Sequence, residues 1–91
     1  MTARPMELRD TISLMVSPEY DERLHAEYLQ LAIRHDKLKN MIERYEAGTL
    51  YFTPTCSIEL LKEQEKCMEH YLRCLKIRAE IEGVHLSNDL R

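Results

Sequence analysis

The stretch AGTLYFTPTC, residues 47–56, carries Tyr51, Thr53 and Thr55, and Arg44 and Tyr45 stand just before it. Arg34 lies further upstream and Arg78 well downstream. Guanidinium groups hold phosphate through charge-assisted hydrogen bonds. Aromatic rings stack on bases, and hydroxyls reach sugar or phosphate oxygens. Arg34, Arg44, Tyr45, Tyr51, Thr53, Thr55 and Arg78 are therefore the candidate ligand-binding set, with the chemistry for a phosphorylated nucleotide. The competing reading is a solvated helical surface, because many acidic residues are interleaved with the cations and pair with them at helical spacing. On spacing alone that surface is the simpler reading.

Other constellations offer less. Cys67-x-x-His70-x-x-x-Cys74 resembles a metal motif. Its two thiols, on one helix, stand ~10.5 Å apart along the axis, too far to share a zinc ion or to form a disulfide. Buried cysteine on a helix face acts as a small hydrophobe, and that is the reading preferred here. His35 interrupts an apolar stripe, where a polar residue usually fixes register by finding a partner side chain. An antiparallel hairpin places that partner near His70 or Tyr71. Cys56 is the one thiol near a loop, and a helix N-terminus beside it could lower its pKa. No nucleophile sits in a recognisable elbow and no glycine-rich loop is present. No catalytic residue, metal ligand or cofactor is assigned.

The elements that must position these residues follow from pattern. The 91-residue length suits one domain, and a domain of this size buries only ~60–65% of its unfolded surface. Charged residues make up 32% of the chain, above the usual ~25%, which suits solvated helix faces. Two glycines and three prolines argue against disorder or a turn-rich β fold. A net charge of −3 argues against binding to duplex nucleic acid. No apolar run reaches the ~18 residues of a membrane span, and Glu7, Arg9 and Asp10 interrupt any signal-peptide core. The expected location is the cytoplasm. An odd number of scattered cysteines fits that compartment.

Three helices are predicted within a single domain spanning 1–91. The first runs over about 5–16, with Pro5 at its start and Leu8, Ile12 and Met15 on one face. Ser17-Pro18-Glu19 signals the start of the second, over about 18–46. Leu24, Tyr28, Leu31, His35, Leu38, Ile42 and Tyr45 alternate by fours and threes along it, the spacing of a coiled-coil seam. Gly48 is placed to end it in a left-handed turn. After the loop over 47–56, the third helix runs over about 57–82, capped by Ser57 or Thr55 and ended by Gly83. Its apolar face is read as Leu60, Cys67, Cys74 and Ile81 beside Leu61, Met68 and Leu75, with Tyr71 between. A tail, 83–91, is expected to fray except at Val84 and Leu86.

Two long helices joined by about ten residues form an antiparallel hairpin. The fold class is therefore all-α: a two-helix hairpin plus a short N-terminal helix, with coiled-coil-like packing. Ala32, Ile33, Met41, Ile58 and Ile77 fall off the main seam and need cover. That surplus predicts a homo-oligomer.

Residues from about Tyr20 to Leu86 resemble a family of small phage and prophage proteins of largely unassigned function. ERLHAEYLQLAIRHDKLKNMI, EAGTLYFTPTC and LLKEQEKCMEHYLRCLKIRAEIEGVHL carry the resemblance. The family shape is a tyrosine- and lysine-rich helix, a G-T-L-x-F-x-P-T-C loop and a helix ending in R-A-x-I-E-G. Such proteins often carry proline after the loop cysteine, where Ser57 stands here. The resemblance implies a phage accessory protein in the host bacterial cytoplasm and brings no catalytic residues. In size, helicity and expected self-association the chain also looks like phage sponges that sequester nucleotide immune signals, an analogy of architecture alone. The reading that follows is a non-enzymatic anti-defence protein, homo-oligomeric, sequestering a cyclic nucleotide or an ADP-ribose-derived signal. The alternative is a helical module that binds a host or phage protein through an apolar face.

Overall fold

A computed structural model of the chain describes residues 6–87, and these contain helices and no strands. A 3₁₀ turn, Leu8–Thr11, runs into the four-residue helix α1, Ile12–Met15. Helix α2 spans Tyr20–Ala47 and α3 spans Ile58–Glu82. The first predicted helix is thus a broken pair of short turns, and its expected start at Pro5 lies outside the described residues, as do tail residues 88–91. No helix among the described residues is long and apolar enough to cross a membrane.

The start of α2 falls slightly later than Ser17 predicts. Glu19 is the N-cap, and it makes no side-chain cap bond. Ser17 still organises the entry: its hydroxyl accepts from the Glu19 N–H at 3.0 Å and donates to Glu22 at 2.5 Å. Asp21 and Glu22 in the first turn complement the positive helix end. At the other terminus Gly48 takes φ +74°, and the Thr49 N–H returns to the Arg44 carbonyl at 2.9 Å. That closes the orphan carbonyls in a left-handed turn that glycine adopts without a Cβ penalty. The segment that follows leads to Ser57, whose hydroxyl accepts from the Leu60 N–H at 3.2 Å and caps α3. Between the two proposed caps, the choice falls on Ser57.

Packing follows the α2 stripe closely. Leu24, Tyr28, Leu31, His35 and Ile42 are buried and Leu38 is half-buried, whereas Tyr45 at the end is exposed. The face of α3 that meets it is Leu61, Glu65, Met68, Leu72, Leu75 and Ala79, again spaced by fours and threes. Leu75 is fully buried and Ala79 nearly so. The column named first from the sequence points outward: Leu60, Cys67, Cys74 and Ile81 are all exposed. Two apolar columns lie side by side on α3, and periodicity does not say which one faces α2.

The densest part of the core, Leu24, Tyr28, Leu29, Leu31, Leu75 and Ala79, sits toward the open end of the hairpin. Met6, Leu14, Val84 and Leu86 pack against it, so the tail is anchored at the two residues expected to hold. His25 donates from Nε2 to the Ser87 carbonyl at 2.6 Å. The N-terminal turns pack on α2 alone; Gln30 donates to the hydroxyl of Thr11, which is fully buried. Among the described residues no buried side-chain polar atom lacks a partner.

Candidate functional site

The register of the hairpin fixes what can meet. Tyr71 donates its hydroxyl to Glu27, and His35 Nε2 lies 2.6 Å from Glu65 Oε2. His35 was expected to face His70 or Tyr71; it faces Glu65 instead, about one and a half helical turns nearer the loop. The path of the 48–57 segment sets this offset, and the helical pattern carries no information about it.

Of the candidate ligand residues, five gather at the loop end. Arg44 and Tyr45 close α2, and Tyr51, Thr53 and Thr55 follow in the loop, all exposed. Tyr51 is 88% exposed and meets Phe52 edge-on, with ring centroids 5.0 Å apart. An exposed aromatic pair offers a stacking surface for a planar ring. Neither Arg34 nor Arg44 engages its guanidinium in a hydrogen bond or ion pair among the described residues. Arg34 stands about 15 Å up the helix from Arg44.

Arg78 lies apart. Its place on α3 is about 30 Å of helix axis from the loop end. There it donates to the Tyr20 hydroxyl at 2.9 Å, Tyr20 donates to Glu82 at 2.5 Å, and Arg78 Nε lies 3.8 Å from Glu82. The hydrogen bond to Tyr20 comes first in holding the Arg78 pKa above its ordinary value, with the Glu82 charge adding to it. One chain therefore does not bring Arg78 to the other six residues. Yet Arg78 and Arg34 share a side of the hairpin. The contacts Tyr20–Arg78 and Glu27–Tyr71 put the α2 column Tyr20, Glu27, Arg34 beside the α3 column Arg78, Tyr71, Gln64.

The opposite side of the hairpin carries a groove of about 380 Å³, lined by Tyr28, Ala32, His35, Asp36, Glu69, Leu72, Arg73 and Lys76. Here one ligand atom from each of His35, Glu65 and Glu69 lies within 4.8 Å of the others. One imidazole and two carboxylates are a donor set that a divalent ion accepts. His35 and Glu65 also satisfy one another through their 2.6 Å contact. Sequence reasoning singled out His35 and missed both acids. The i, i+4 spacing of Glu65 and Glu69 was visible, but only the register directs them at His35. Cys67, His70 and Cys74 are exposed, with Cys74 Sγ 3.9 Å from His70 Nε2. Arg73 donates to His70 Nδ1 at 2.9 Å, which leaves the neutral ring's proton on Nε2. Cys56 is exposed as well.

Comparison with known proteins adds one finding. Neither the curated proteins nor the solved structures contain a match to this chain. Among protein families, residues 18–81 match Sequestin, a segment that covers α2, the loop and nearly all of α3. The matched segment is the hairpin with its exposed loop, and, with well over half of its length matched, the chain belongs to the Sequestin family.

Proposed function

We propose that this protein sequesters a nucleotide-derived immune signal without cleaving it, as an anti-defence protein of a phage acting in the bacterial cytoplasm. Membership of a family named for sequestration is the observation that carries the reading, and it favours binding over catalysis. The geometry agrees in kind. Tyr51 and Phe52 are exposed in the loop, and Arg44, Tyr45, Thr53 and Thr55, exposed within a few residues of them in sequence, supply groups for a phosphate and a sugar edge. The ligand class is a cyclic nucleotide or an ADP-ribose derivative. Holding such a molecule requires more enclosure than one loop provides, which is why the working unit is a homo-oligomer.

Isothermal titration against a panel of cyclic di- and trinucleotides and cyclic ADP-ribose isomers tests this. Binding by at least one member is expected, weakened tenfold or more by Tyr51→Ala or Arg44→Ala. Heat-denaturing the complex should release the ligand chemically unchanged. Silence across the panel, or a cleaved product, overturns the reading. The second reading, a module that binds a host or phage protein, draws on the exposed face of α3; silence across the panel together with a discrete protein captured from infected cells would favour it.

A further inference from the structure

The outer face of α3 carries a column of exposed apolar residues between polar neighbours, and no other described helix covers it. The N-terminal turns pack on α2 only. Leu60 is 51% exposed, Ile77 50% and Ile81 79%, and Cys67, Tyr71 and Cys74 are exposed between them. Leu60, Cys67, Cys74 and Ile81 recur every seven residues. A strict seven-residue repeat drifts ~20° per heptad around a straight helix, the geometry of a left-handed two-helix seam. This column lies more than a quarter turn around α3 from the face packed on α2, so a helix seated on it would approach from nearly the far side of the hairpin.

The column is self-complementary about its midpoint. Turning α3 end for end about a point between His70 and Tyr71 sets Leu60 opposite Ile81 and Cys67 opposite Cys74. The flanking columns exchange: Glu63 meets Arg78, His70 meets Tyr71 and Gln64 meets Ile77. Glu63 against Arg78 is a pair of opposite charges. Glu59 against Glu82 is the like-charged exception, and Glu82 already accepts from Tyr20 and lies beside Arg78. A parallel arrangement instead sets Glu63 against Glu63 and His70 against His70. Two-fold interfaces use one patch twice and need this kind of self-complementarity.

We propose that α3 pairs antiparallel with α3 of a second copy of this chain, and that the pairing completes the candidate site by bringing Arg78 of each copy to the 48–57 loop of the other. Within one chain Arg78 is about 30 Å of helix from the loop end. In the pair it lies opposite Glu63 of the partner subunit, only about 8 Å of axis from the start of the partner's α3. The enclosure that a single loop lacks then comes from the partner's C-terminal half of α3. The ligand half of this proposal rests on the sequestration reading; the pairing does not.

Single-cysteine chains separate the two. Cys56→Ser/Cys74→Ser leaves only Cys67, and Cys56→Ser/Cys67→Ser leaves only Cys74. Each is oxidised alone and after mixing. The expected result is a covalent dimer from the mixture alone, joined Cys67 to Cys74 by peptide mass spectrometry. Cross-linking of each variant with itself establishes a parallel seam and overturns the proposal, as does a monomer by analytical ultracentrifugation. As a check that needs no thiol chemistry, Leu60→Lys and Ile81→Glu each give folded monomers by circular dichroism, and the double variant recovers the dimer. Failure of the double variant to recover it counts against the pairing. For the shared site, Tyr51→Ala and Arg78→Ala chains are mixed in equal amounts. Random pairing should restore about a quarter of the wild-type binding sites that neither variant shows alone. A dimer with the Cys67–Cys74 link and no binding by the wild-type protein sinks the sequestration reading and spares the pairing. Ligand bound by a monomer does the reverse.

Discussion

Replacing Glu65 with alanine should destabilise the hairpin out of proportion to its exposure. The side chains of His35 and Glu65 are 10% and 18% exposed and meet at 2.6 Å inside an otherwise apolar seam. Removing the carboxylate strands a buried imidazole nitrogen, and an unsatisfied buried polar group costs ~1–3 kcal/mol. His35→Ala strands Glu65, the more exposed of the two, where water reaches it more easily, so the loss falls at the lower end of that range. Replacing both residues with leucine removes the need for a partner and should be close to neutral or stabilising. In a domain of this length ~1 kcal/mol moves Tm by roughly 4–8 °C, so Glu65→Ala should lower it by about 8–16 °C at ~2 kcal/mol. Thermal and urea melts of wild type, both single alanine variants and the double alanine variant, at one fixed protein concentration, give the coupling energy by a double-mutant cycle. A coupling indistinguishable from zero refutes the register in which His35 faces Glu65.

Three further outcomes are expected. Leu75→Ala, at a fully buried position, should cost ~2–5 kcal/mol, read as a large fall in the urea midpoint at unchanged slope. Gly48→Ala adds a Cβ that meets nothing within 4 Å, so its loss of roughly 1–2 kcal/mol would come from the left-handed backbone alone, and Gly48→Asn should recover part of it in thermal melts. The hydrogen bond to Glu27 raises the Tyr71 pKa above 10.0, so its contribution is fully present below that pH and is lost as pH rises through the folded-state value. Melts from pH 8 to pH 11 should fall more steeply for wild type than for Tyr71→Phe, and parallel curves would contradict the assignment.

The two helices were legible in the sequence because their stop signals are local. Gly48 and Gly83 each end a helix in the left-handed conformation that glycine favours, and Ser57 caps the restart. The α2 stripe was legible because its fours and threes run unbroken from Leu24, and the structure turns it inward as far as Ile42. On α3 two columns compete, and the one with the cleaner heptad, through Leu60 and Ile81, faces solvent. The partner of His35 was not legible, since register is a property of the loop path rather than of either helix. The candidate site divides along the same line. Arg44, Tyr45, Tyr51, Thr53 and Thr55 lie close in sequence, at the end of α2 and in the loop that follows, and all five are exposed. Arg78 is distant in sequence, and in one chain it is distant in space too.

The uneven core has a further consequence for how the molecule breathes. The tightly buried cluster and the anchored tail secure the open end of the hairpin, whereas the loop end relies chiefly on Ile42 with half-buried Leu38, Ile58 and Leu61. Amide hydrogen exchange should therefore be graded along both helices. It should be slowest around Leu24–Leu31 and Leu75–Ala79 and fastest from Ile42 to Leu61, where sub-global opening needs few apolar contacts to break. A ligand gripped at that loose end spends part of its binding free energy on ordering the chain. Occupancy of the loop would then be readable as newly slowed amides near Thr49–Ser57, even in the absence of any visible change in helix content.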